Sequence, residues 1–219
     1  MNWTAAIDIY CERTGPEFWS EPINAVSNLA FIIAAILPFM AMRRAGASDA
    51  LLTGLCGIAF CIGVGSFLFH TVAERWAALA DTLPILLFII GFLYAAMNRL
   101  FGLRWPWAIL ATVLAFALST TARDAGMMIA GSSLNGSVSY FPALALLGGS
   151  TIALAVRGHP AARPVAVATA IFALSLTARS VDEALCVDIP MGTHFLWHLL
   201  NGTMIGVLLF ALLRHGRRA

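Results

Sequence analysis

Hydrophobic positions in this chain fall in long unbroken blocks, not in alternation and not in narrow amphipathic stripes. Stretches free of Asp, Glu, Lys and Arg cover 22–42, 50–73, 82–98, 105–122, 125–156, 164–178 and 189–213. A helix needs about 20 apolar residues to cross a bilayer, within a range of roughly 17–25. The blocks therefore predict seven membrane-crossing helices. The third block is short and reaches full length by running back through Ala77–Asp81, which places one carboxylate in or at the edge of the span. The fifth is too long for one helix, and its segment Gly131-Ser-Ser-Leu-Asn-Gly-Ser137 is rich in turn formers. Its helix is expected to start near Val138, with 125–137 at the membrane surface. The sixth continues past Arg179. The expected spans are 22–42, 50–72, 77–98, 105–122, 138–156, 164–183 and 190–213, in one domain covering 1–219 behind an acidic segment, 1–21. Outer-membrane strands alternate apolar and polar residues over about ten positions, and no block does so. The fold class is an all-α integral membrane protein, a seven-transmembrane-helix bundle.

Composition agrees. Of the 219 residues, 60% are hydrophobic and 11% charged, against about 25% charged in a soluble domain. The net charge of +2 is too small to imply a polyanionic partner, so nucleic acid is excluded. Every basic residue is arginine. Residues 1–21 carry Asp8, Glu12, Glu17 and Glu21 and do not read as a cleavable leader, so the first span is expected to act as an uncleaved anchor.

Seven spans put the termini on opposite sides. Arg43, Arg44, Arg99, Arg104, Arg157, Arg163, Arg214, Arg217 and Arg218 share one side; Arg13, Arg75, Arg123 and Arg179 share the other. The arginine excess marks the cytoplasmic face, so the C-terminus is expected in the cytoplasm and the N-terminus outside.

A few polar residues break the apolar pattern. A carboxylate inside a membrane helix costs roughly 2.5–3.5 kcal/mol on insertion scales and is a functional hypothesis by default; Asp81 is such a residue. His70 closes the second span, while His194 and His198 open the seventh, one helical turn apart on one face. The topology puts all four groups at one depth, near the outer leaflet. Three histidines with an open fourth position describe a catalytic zinc site, which lowers the pKa of bound water to about 7. Asp81 would orient or deprotonate that water. Ser66, four residues before His70, has two readings: an oxyanion donor, or a small residue for helix packing beside Gly63-Val-Gly65. Cys56 and Cys61, five apart, read as small core residues.

Four segments together resemble the alkaline ceramidases: Gly65-Ser66-Phe-Leu-Phe-His70, Asp81-Thr-Leu-Pro84, His194-Phe-Leu-Trp-His198 and Glu21-Pro-Ile-Asn24-Ala-Val-Ser-Asn28. They run from the N-terminal segment to the last span. The progestin and adiponectin receptors share the plan more distantly. The resemblance implies an intramembrane zinc amidase in which His70, His194 and His198 bind zinc, Asp81 activates water and Ser66 stabilises the oxyanion. Its substrate would be an N-acyl sphingoid lipid, cleaved to a fatty acid and a free amine. The resemblance also implies a calcium site near the N-terminus, with Asp8, Glu12 and Glu21 as ligands, although Thr14 stands where the family carries Asn. An acidic solvated tail is the other reading of that segment. Finally, it implies a disulfide between Cys11 and Cys186, both on the outer side. We read Arg179 and Asp182, three residues apart, as an ion pair.

Two other classes remain open from sequence: a receptor of the same superfamily with little hydrolase activity, and a b-type cytochrome with His70 and His198 as axial ligands. Arginine used to the exclusion of lysine points to a GC-rich bacterium. The expected location is the bacterial inner membrane, with the site toward the periplasmic leaflet and a membrane lipid as substrate.

Overall fold

A computed structural model describes residues 2–130 and 134–216. Gly131–Ser133 of the expected turn, and Arg217 and Arg218 of the arginine count, lie outside the described residues. A short helix, α1 (Pro22–Ser27), leads into α2 (Leu29–Arg44). Then follow α3 (Ala50–Val72), α4 (Arg75–Ala95) with a π-helical last turn at Ala96–Leu100, α5 (Trp105–Ala130), α6 (Phe141–Val156), α7 (Ala162–Val181) and α8 (His194–His215). With α1 and α2 joined as Pro22–Arg44, and α6 counted from Leu134, seven helical segments among the described residues are long and apolar enough to cross a membrane. Large apolar side chains such as Leu37, Leu114, Ile152 and Val156 stand exposed around the bundle. A surface of that kind is solvated by lipid, not by water. This is a multi-pass membrane bundle.

Helices α3 and α4 pack together most extensively, followed by α7 with α8 and α2 with α8 and α3; α6 packs against α7. Two glycines allow the closest approaches. A Cβ on Gly65 of α3 would overlap the Ala80 carbonyl of α4, and one on Gly202 of α8 would overlap Ala30 of α2. Pro84 bears on the first contact: lacking an N–H, it leaves the Ala80 carbonyl without its helical donor, and Gly65 packs on that carbonyl. Asp81 sits in the same turn.

Asp49 starts α3 by accepting from Leu52 N at 3.1 Å, and Arg99 holds the same carboxylate at 2.8 Å. Ala73 ends α3 in the left-handed conformation, φ 51°. The reversal lets Ala73 O accept from Ile7 N at 2.8 Å, while Ala5 O accepts from Arg75 N at 3.1 Å. Residues 5–7 are thereby stitched across the α3–α4 turn as an isolated antiparallel bridge.

Two segments differ from the hydropathy reading. Helix α5 runs on past the expected span end at 122 to Ala130, and so takes in residues 125–130 of the stretch 125–137 that the hydropathy pattern places at the membrane surface. Arg123 and Asp124 pair with each other at 2.9 Å, and an internally paired charge does not end a helix whose backbone bonds are satisfied. The turn formers act at Leu134, Asn135 and Gly136, all with positive φ. A short 3-10 segment precedes α6, and its Val138 packs on Gly126.

Candidate metal centre

His70, in the last turn of α3, meets His194 and His198 in the first turns of α8. All three are buried, and one nitrogen from each lies within 4.8 Å of the others. The imidazole centroids are 4.6 to 5.2 Å apart. Positively charged, such a cluster would repel itself; neutral, it offers converging lone pairs. His70 Nε2 is buried with no hydrogen-bond partner, a condition that costs about 1–3 kcal/mol unless something binds the lone pair. The donor set fits a metal ion.

Outer contacts settle the tautomers of two imidazoles. His70 Nδ1 lies 2.6 Å from Glu21 Oε2, so Nδ1 carries the proton and Nε2 is free. His198 Nδ1 lies 2.7 Å from Ser27 Oγ, while the Ser27 hydroxyl donates to Asn24 O at 2.8 Å. Ser27 has one proton and has given it away, so His198 Nδ1 must donate, leaving Nε2 for the centre. His194 is placed differently. Asp182 Oδ1 accepts from Thr193 N at 2.6 Å and His194 N at 2.9 Å, capping α8 from a distance. Tyr10 stacks on the His194 ring with centroids 3.7 Å apart.

Asp81 projects from α4 into the same cavity, which Tyr10, Tyr140, Arg179, His194 and His198 also line. Ser66 lies beside the Asp81 carboxylate, and Asp81 Oδ1 is buried without a partner. The structure thus brings Ser66, His70, Asp81, His194 and His198 to one place. The packing reading of this helix face also holds, carried by Gly65. Below the cavity, an apolar pocket shares Ile85, Tyr140 and Trp197 with it and continues past Phe88, Met204 and Leu208.

The N-terminal segment is not a solvated tail. Cys11 and Cys186 are disulfide-bonded, Cα–Cα 5.2 Å, the pairing that the resemblance implied. Glu12 is buried and accepts from Ile23 N at 2.6 Å and Asn24 N at 2.7 Å, closing the N-terminus of α1. Burial keeps its carboxyl above the ordinary value despite those donors. Glu21 accepts from Arg13 Nε at 2.5 Å, His70 Nδ1 at 2.6 Å and Asn24 Nδ2 at 3.1 Å. Burial pushes its carboxyl up, but His70, Asn24 and Arg13 outweigh that and hold it below the ordinary value. Asp8 is exposed. Calcium takes six to eight oxygens, and the two buried carboxylates here are already committed to N–H donors. The expected calcium set of Asp8, Glu12 and Glu21 does not fit that ion.

The expected Arg179–Asp182 ion pair does not form. The Asp182 carboxylate faces the backbone N–H groups of Cys11, Thr193 and His194. Arg179 turns inward, donates to Tyr10 OH at 3.0 Å and sits over Tyr10, Tyr140 and Trp197 at 5.2 to 5.7 Å. Sequence reasoning also missed Tyr10, Arg13, Ser27 and Trp197 as parts of the site. Ser27 lay inside a recognised motif, but nothing in its spacing pointed to His198.

A seven-helix membrane bundle enclosing a buried three-histidine centre at one end is the class that fold and site define. The family model Ceramidase matches residues 2–218, and the chain belongs to that family. It is a ceramidase-like hydrolase of amide bonds. No curated protein matches the chain.

Proposed function

We propose that this protein is a zinc-dependent intramembrane hydrolase that cleaves the amide of ceramide or a related N-acyl lipid to a fatty acid and a free amine. The convergence of three buried imidazoles on one point beside a buried carboxylate carries this reading. A haem needs its axial imidazoles on opposite faces of a macrocycle, whereas the His70 and His198 centroids are only 4.6 Å apart.

Zinc held by His70, His194 and His198 would supply Lewis acidity, lowering the pKa of water and polarising the acyl carbonyl. Asp81 takes a proton from the attacking water and returns it to the leaving nitrogen as the C–N bond breaks and the C–O bond forms. Ser66 donates its hydroxyl proton to the oxygen that gains negative charge. Glu21 and Ser27 hold two imidazoles in the tautomer that presents Nε2. The apolar pocket that shares Ile85, Tyr140 and Trp197 with the site suits the acyl chain. We place the N-terminus and the site at the outer leaflet of a bacterial cell membrane, on the arginine asymmetry.

The test is the metal content of detergent-purified protein, wild type beside His198→Ala, followed by hydrolysis of N-acyl lipids in mixed micelles. About one zinc per chain, lost in the variant, supports the site. Carefully handled wild-type protein without zinc would sink it.

A further inference from the structure

We propose that Arg13 is the built-in cation of this site: it holds Glu21 and His70 in place, and the N-terminal segment is complete without calcium. The inference rests on the metal reading of the three histidines and not on the lipid chemistry.

Arg13 is buried, and each of its guanidinium nitrogens has a partner. Nε donates to Glu21 Oε1 at 2.5 Å, Nη1 to Gly15 O at 3.0 Å and Nη2 to His70 O at 3.0 Å. One side chain therefore grips His70 twice. It binds the His70 carbonyl directly, near the C-terminal end of α3, where carbonyls lack helical donors and a cation is favoured. It also binds the carboxylate that orients the His70 ring. Glu21 is buried, and a neutral imidazole and an amide could not balance its charge. Removing the partner of a buried ion is strongly destabilising. Arg13 supplies the balancing charge as a planar fork, which holds several acceptors at fixed angles where a point charge would not. A divalent ion at Glu21 would have to displace the guanidinium, whose positive charge opposes it. Glu12 cannot compensate, since both of its oxygens serve the first turn of α1. Arg13 is a positioning residue, because its action reaches the metal only through His70.

The experiment uses the full chain in detergent. Zinc affinity is measured by chelator competition, and thermal unfolding is followed in parallel. Both are run in calcium-stripped buffer and with about 10 mM calcium, enough to fill even weak extracellular-type sites. In wild type, both readouts should be the same with and without calcium. Arg13→Ala should lose about 10–100-fold in zinc affinity, the usual effect of removing an outer partner of a metal ligand. Free guanidinium ion or calcium should restore part of that loss, which repair of a merely structural defect would not do. Arg13→Lys should fall between the two. Should Arg13→Ala fail to fold, Arg13→Gln, which is shorter and uncharged but keeps two donor hydrogens, replaces it. Wild-type protein that gains zinc affinity or thermal stability on adding calcium would overturn the proposal. So would an Arg13→Ala protein that binds zinc as tightly as its parent. Wild type that binds no zinc would defeat the metal reading instead, and the calcium arm of the unfolding experiment would still test the calcium claim.

Discussion

Glu21 Oε2 lies 2.6 Å from His70 Nδ1, joining the residue before α1 to the last turn of α3 across 49 positions. A carboxylate set this way on a metal-binding imidazole fixes its tautomer and raises its basicity. Glu21→Ala should therefore weaken zinc binding about 10–100-fold. Glu21→Gln, which still accepts a hydrogen bond but lacks the charge, should weaken it less. Chelator competition on the two variants checks the order. Equal affinities would mean that the charge of Glu21 does not matter.

Asp81 and Ser66 should separate from the metal ligands. Asp81→Asn should keep its zinc and lose about 10²–10⁴-fold in kcat, because a proton carrier is gone while the imidazoles remain. Ser66→Ala should lower kcat by about 10²–10³-fold with little change in KM, the pattern of a donor used chiefly in the transition state. Steady-state kinetics with parallel metal analysis reads both. An Asp81→Asn enzyme running at the parental rate would remove Asp81 from the mechanism.

Gly65→Ala places a methyl group on the Ala80 carbonyl. Helices α3 and α4 must then separate, which typically costs about 1–3 kcal/mol, and Ser66 moves away from Asp81. Melting temperature and activity should fall together. The same change at Gly54, where an added Cβ meets nothing within 4 Å, should leave both near the wild-type values.

Reduction of Cys11–Cys186, or Cys186→Ala, releases the N-terminal segment from the α7–α8 turn. Loss of a native disulfide commonly costs about 2–5 kcal/mol. Here it should also free Tyr10 from His194, so zinc should exchange faster. Thermal melts and zinc release with and without reductant test this; identical curves would count against the tether.

Asp49 gives the pH dependence a sign. Burial raises its carboxyl, but the N–H of Leu52 and the Arg99 guanidinium outweigh that and hold it below the ordinary value of 3.8. Its folded pKa therefore lies under its unfolded one. The stability it contributes is present above 3.8 and is lost as pH falls through the lower folded value. Asp49→Asn keeps a capping oxygen but does not titrate. Its stability should vary less with acid over that interval, as denaturation followed by circular dichroism would show. Asp49→Ala should lose about 1 kcal/mol of cap as well.

Hydropathy determined the number and order of the membrane spans, because a bilayer tolerates few charges in a block of about 20 residues. The same rule exposed Asp81, and helical periodicity paired His194 with His198. His70 joined them because alternating spans return to the same side at predictable positions. The roles of the N-terminal segment were beyond that logic. Glu12 caps a helix, Glu21 orients a histidine, and Asp182 caps α8 instead of pairing with Arg179, though each is simply an acid near the outer side in sequence. Which donor a carboxylate meets depends on a few ångströms of packing between distant segments, set here by Gly65 against Ala80, by the bridge at residues 5–7 and by the Cys11–Cys186 link. A membrane imposes depth on every residue and so makes depth legible from composition. It imposes no rotation or lateral neighbour, and those were decided only when the helices packed.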